Sequence, residues 1–228
     1  MSDEVFEIKD NYLFKYNGRS ADVVIPNEIT IIWKRAFHEC LYLNSVVFPD
    51  NLKEISKFAF TSCKKLKDVA LPETVEVIDD AAFAGCESFY SIKLPENLKT
   101  IGYDVFANCD NLNTIILPST LTSIKKSMFF HCINLINIQI PDSVTTIEES
   151  AFFGCKKLTS IKLPENLKTL EASVFLGCEN LTTIEIPSSV TSIGEKCFLG
   201  CFELTIKAKV GSYAEKYAKE NNIKFEAI

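Results

Sequence analysis

From Thr183 to Ile186 apolar and polar residues alternate, with Ile184 and Ile186 set against Thr183 and Glu185, the period-two pattern of a half-buried strand. Pro187 ends the pairing because it cannot donate a ladder hydrogen bond. Val190 and Ile193 follow as an extended arm. Cys197, Phe198 and Cys201 then fall four, five and eight positions after Ile193, a spacing that predicts a short helical turn. Gly200 closes that segment in a column shared with Gly85, Gly154, Gly177 and Asn108, residues that tolerate the left-handed backbone of a helix C-cap. Each unit therefore predicts strand, turn, extended arm, helical turn and return.

The unit recurs on a 23-residue ruler. Every proline lies on it (Pro26, Pro49, Pro72, Pro95, Pro118, Pro141, Pro164, Pro187), as do eight of the nine cysteines, from Cys40 to Cys201, and the phenylalanines from Phe37 to Phe198. Self-similarity at a fixed period is the signature of a solenoid. One unit shows the inward columns as Val46, Phe48, Leu52, Ile55, Ala59, Phe60, Cys63 and Leu66. Each large apolar side chain contributes about 1.5–3 kcal/mol when fully buried, whereas each ordered backbone residue costs about 1–2 kcal/mol, so a lone coil does not fold. Stacking supplies the missing partners and predicts one continuous ribbon of parallel strands about 4.8 Å apart.

Open-ended arrays need caps, and both ends leave the ruler. Residues 5–16, VFEIKDNYLFKY, predict a hairpin around Asp10 and Asn11,. Ser212 and Glu215 predict an N-cap with a capping box, and Tyr213, Tyr217, Ala214 and Ala218 the apolar side of the helix that follows,. Ile223 to Ile228 predict a last strand pairing back. The expected organisation is an N-terminal capping hairpin over 1–22, an α/β repeat solenoid of about eight coils over 23–209, and a helix-strand cap over 210–228,.

Hydrophobic residues at 47% and charged residues at 24% describe a folded chain rather than a disordered one. A net charge of −6 offers no basic face to nucleic acid or anionic lipid, and no stretch reaches the roughly 18–20 apolar residues of a membrane helix. Met1 to Asp10 lacks the basic start and apolar run of a secretory signal,. Taken as full length, the chain is expected in the cytoplasm; with a signal or anchor trimmed away, at the cell surface or secreted.

The repeating pattern IPxSVTSIGxxAFxGCxxLTSI, nearly intact from Ile140 to Ile161 and from Ile186 to Leu204, resembles the BspA-type (Treponema pallidum-like) leucine-rich repeat family. The resemblance extends to the lead-in FEIKDNYLFKYNGRSADVVIP and the ending VGSYAEKYAKENNIKF. It implies a right-handed curved array in surface or secreted proteins of bacteria and some protists, often linked to adhesion and binding of host surface or matrix proteins. It implies no catalytic residues.

The sequence also carries little chemistry of its own. There is no phosphate loop, nucleophile elbow or HExxH,, so no enzyme, cofactor or metal site is expected. The nearest cysteine pair is Cys197 and Cys201, wider than the close pairs of zinc sites. Stacked cysteines with parallel Cβ vectors do not meet disulfide geometry, so the column reads as reduced core thiols. Carboxylates after the prolines (Asp50, Glu73, Glu96, Asp142, Glu165) read as solvated turns weakly paired with Lys53, Lys99 and Lys168,.

Specificity is expected on the outward strand positions, where Tyr90, Lys93, Ile116, Gln139 and Lys162 vary most. Trp33 is expected to pack under the N-terminal hairpin. Phe130 and Phe153, followed by Leu176 and Leu199, fill a column that is small or polar in earlier coils, read as infill or a contact for self-association. The expected function is a non-enzymatic interaction module holding a protein or glycan partner. The alternative is a structural protein that assembles with itself and has no external ligand.

Overall fold

A 23-residue ruler makes residue i the neighbour of residue i+23, and the computed structural model, which describes residues 5–228, pairs its strands in this register. The remainder of the expected N-terminal unit, residues 1–4, lies outside the described residues. Asp22–Val24 pairs in parallel with Ser45–Val47, Ser91–Lys93 with Thr114–Ile116, and Ser160–Lys162 with Thr183–Glu185. Thr205–Ala208 and Lys224–Ala227 extend this first ribbon.

The expectation of one continuous ribbon is corrected in two ways. The extended arms also pair, as a second ribbon running from Ile31–Ile32 through Glu54–Ile55 and Val77–Ile78 to Thr100–Ile101, and again from Ser123–Ile124 to Ser192–Ile193. The first ribbon is also interrupted, because Asp68, Val69 and Ala70 form no strand. The Asp68 carboxylate accepts the backbone N–H groups of Tyr90 and Ser91 at 2.8 and 2.7 Å. In the next coil the equivalent N–H, from Asn113, goes to the Tyr90 carbonyl at 2.9 Å.

The short helical turns are not helices. In these segments before the last coil N–H groups alternate between two kinds of partner: Ala36, His38 and Cys40 bond the carbonyl three residues back, while Arg35, Phe37 and Glu39 bond Lys57, Ala59 and Thr61 in the next coil. Two left-handed residues four apart prevent an α-helix, at Arg35 and Glu39, Phe58 and Ser62, Ser150 and Gly154, and their equivalents,. The glycine column is left-handed as expected, but as a pivot in this turn ladder.

The core runs along the axis. The eight inward columns named above are buried, apart from the half-buried Cys40 and Leu71. Successive rings from Phe37 to Phe198 stack with centroids 4.8–6.0 Å apart and planes within 18°, within the range of favourable aromatic contacts. Tyr16 stacks on Phe37 at one end, and Tyr217 meets Phe198 edge-on at the other.

The cysteines are free and do more than fill space. Seven thiols donate to the phenylalanine carbonyl one coil back at 3.0–3.3 Å, as Cys86 does to Phe60. Each carbonyl's other lone pair takes the N–H of the cysteine three residues on, as Cys63 does for Phe60,. Burial pushes these thiols up, to about 12 for Cys109 and Cys201 and well above the usual range for Cys86, Cys132 and Cys178,.

At the N-terminus Phe6–Lys9 and Tyr12–Tyr16 form an antiparallel hairpin whose second strand joins the second ribbon beside Ile31–Ile32. Trp33 lies against its Tyr12 and Phe14 rings at 5.8 and 5.6 Å. The single helix among the described residues, Tyr213–Glu220, buries Ala214, Tyr217 and Ala218, whereas Tyr213 is 40% exposed and does not join that face. Ser212 accepts the Glu215 N–H, but the Glu215 carboxylate takes the Gly211 N–H at 2.6 Å, because the Ser212 N–H is engaged by the Lys209 carbonyl. The expected capping box is therefore shifted by one residue.

Candidate functional site

Strand alternation buries every second residue of the first ribbon and turns the residue two before each proline outward. Lys93, Ile116, Gln139 and Lys162 all stand exposed there, Ile116 at 59%. Tyr90 is 58% exposed on the approach to Ser91, its backbone fixed by Asp68. Lys93 donates to Glu73 at 2.8 Å. That bond, with the Glu96 N–H at 2.9 Å, holds the Glu73 carboxyl below its usual range.

The ribbon opens between Ile116 and Gln139. Thr114–Ile116 pairs with Ser91–Lys93 along its full length, but with the following strand only as far as Ile115 and Ile138. Beyond that point Gln139 pairs only away from Ile116, with Lys162. The separation opens a cleft of about 760 Å³, within the size range of ligand sites. Its walls are the parted strands together with Leu117 and Pro141, and its lower rim carries Glu96, Ser119 and Asp142. Glu96 accepts the N–H and hydroxyl of Ser119 at 3.1 and 3.0 Å.

Some carboxylates elsewhere are met by lysines one coil away, as in Lys57 with Asp80, Lys64 with Glu87, Lys126 with Glu149 and Lys156 with Glu179, whereas Asp50 and Glu165, in the same column as Glu96 and Asp142, form no ion pair among the described residues. Lys53 and Lys99 bond Glu76 at 3.5 and 2.6 Å rather than the carboxylates after the prolines. Among the described residues, the ion pairs formed within 4.0 Å leave Glu96 and Asp142 without a cation.

The structure thus brings Tyr90, Lys93, Ile116, Gln139 and Lys162 to one ribbon and sets Phe130 and Phe153 apart in the turn ladder. Those two rings stack at 4.8 Å and are half-buried. Leu199 and Phe202 end that side at 58% and 79% exposed; the sequence gives Phe202 no prominence, because its column mixes charged residues with Leu41 and Ile133. The cleft was also missed, since the 114–119 and 137–142 segments follow the consensus and carry no local signal of a split. Among the described residues no group of three or more His, Cys, Asp or Glu side chains is placed to hold a metal ion, and no helix is long and apolar enough to cross a membrane.

A family model described as BspA type leucine-rich repeat region matches residues 7–136 and 122–214, in six copies. A leucine-rich repeat protein of T. pallidum has a solved structure similar over 99% of this chain and 97% of its own, at 26% identity and a TM-score of 0.63. A leucine-rich repeat protein of Eubacterium ventriosum matches 81% of this chain and 60% of its own, at 24% identity and a TM-score of 0.64. One from Bacteroides ovatus covers 91% and 84%, at 23% identity and a TM-score of 0.51. These last two likenesses concern the fold alone. No curated protein matches the chain.

Proposed function

Since the chain belongs to the BspA-type leucine-rich repeat family, we propose that it is a non-enzymatic interaction module that holds a protein partner on the outward face of its first ribbon. The cleft between Ile116 and Gln139 carries this reading. Ile116 and Gln139 face each other across it, each paired only on its far side, while the residues before them stay paired with one another, and an extended protein segment entering at these two strand ends gains main-chain hydrogen bonds. Ile116 supplies an exposed apolar anchor on its wall, and Tyr90 a second one elsewhere on the same face, in a shallower hollow with Lys67, Asp68, Ser88 and Asn111,.

Replacing Tyr90, Ile116 and Gln139 by alanine tests this. Each is exposed, so stability is expected to move by about 0.5 kcal/mol or less, while affinity for a partner isolated from source cells falls about tenfold or more. A partner retained equally by wild type and the triple variant refutes the reading.

The exposed Leu199 and Phe202 favour a second reading, self-association through the turn side,. Light scattering across concentration decides it, since a monodisperse monomer throughout removes it.

A further inference from the structure

The cleft has a definite charge preference. The column on its lower rim reads Asn27, Asp50, Glu73, Glu96, Ser119, Asp142, Glu165 and Ser188, with no lysine or arginine in any coil. Among the described residues, Glu73 alone in this column is met by a lysine, Lys93. Lys99 is held by Glu76 and Lys125 by Glu148, and Lys162, which stands to Asp142 as Lys93 does to Glu73, forms no ion pair with it within 4.0 Å. Glu96 and Asp142 therefore line the cleft without a direct ion pair, beside the apolar Ile116, Leu117 and Pro141, with Lys93 near enough to Glu96 to feel its charge while bonded to Glu73.

Resting on the proposed binding face, we infer that the cleft selects an extended protein segment carrying an arginine or lysine. The stem of such a side chain covers Ile116, Leu117 and Pro141, and its head reaches Glu96 and Asp142. A guanidinium suits this geometry better than an ammonium, because its planar fork bonds carboxylates in pairs. Ser119 orients Glu96 through two hydrogen bonds, which fixes where the head is received. The chain's net charge of −6 adds steering toward a cationic partner.

Three fluorescein-labelled hexapeptides test this: Thr-Val-Arg-Val-Arg-Thr, and its counterparts with both arginines replaced by glutamate or by glutamine. Anisotropy titrations are made with wild type, the double variant Glu96→Gln and Asp142→Asn, and the double variant Ile116→Ala and Gln139→Ala. Both carboxylate replacements are near-isosteric, and the Glu96→Gln amide oxygen still accepts from Ser119.

The expected result is binding of the arginine peptide about tenfold or more tighter than the glutamate peptide, weakened by added salt. The preference then falls to about threefold or less in the carboxylate variant. If arginine and glutamine peptides bind alike and only the Ile116→Ala, Gln139→Ala variant weakens them, the charge inference falls and the binding face stands. If no peptide binds, or that variant changes nothing, both fall.

Discussion

Eight buried thiols give this fold an alkaline limit. In an unfolded chain a cysteine ionises near pH 8.5, whereas burial here pushes Cys109 up to about 12 and the others higher or comparably far. As pH rises past the unfolded value, the unfolded chain gives up protons that the folded chain retains, so stability falls with pH. The contribution is fully present below about pH 8.5 and is lost progressively toward the folded pKa values. Each thiol costs about 0.8 kcal/mol at about pH 9 and about 1.4 at about pH 9.5. Eight together give about 7 and about 11 kcal/mol, against the ~5–15 kcal/mol that holds a typical domain. Urea titrations followed by circular dichroism under reducing conditions, from about pH 7 to about pH 9.5, are expected to show a midpoint that collapses above about pH 8.5. Cys132→Ala removes one of these thiols, and with it the bond to Phe106 at 3.1 Å. It is expected to cost about 1 kcal/mol near neutrality and to flatten the alkaline slope by one thiol's share. Stability at about pH 9.5 within about 1 kcal/mol of that at neutral pH, or an unchanged slope in the variant, refutes the reasoning.

Ala81 holds a left-handed backbone at φ 51°, which costs an L-residue about 1–2 kcal/mol. Ala81→Gly removes that cost against an entropic penalty of about 0.5–1 kcal/mol and the loss of a buried methyl worth up to about 0.8 kcal/mol,, so a melting temperature close to wild type is expected; a fall of several degrees means the turn ladder carries no strain there. The proposed C-terminal cap is tested by deleting residues 210–228, which uncovers the Phe198 ring now met by Tyr217. Lower melting temperature and concentration-dependent scattering are expected, whereas a monodisperse protein of unchanged stability assigns the capping elsewhere.

The periodic features were legible because each repeats a side-chain requirement on one ruler. Phe37 to Phe198 announce a stacked aromatic column, Pro26 to Pro187 the strand ends, and Gly85, Gly154 and Gly177 a left-handed pivot. The second left-handed column was invisible: Arg35, Phe58, Ala81, Asp104 and Ser127 share no residue type, since three hydrogen bonds to the next coil hold each of these turns in place. The helical spacing of Cys197, Phe198 and Cys201 was real, but an inward face every four residues also suits a turn whose alternate N–H groups point to a neighbour.

Residue type and period therefore determined the solenoid, its core columns and the outward positions such as Ile116. Tertiary structure alone decided which N–H bonds which coil, where Asp68 interrupts the first ribbon, and where Ile116 and Gln139 part. Those outcomes depend on how far two coils twist and shift against each other, a sum of small non-local contacts that no single repeat encodes.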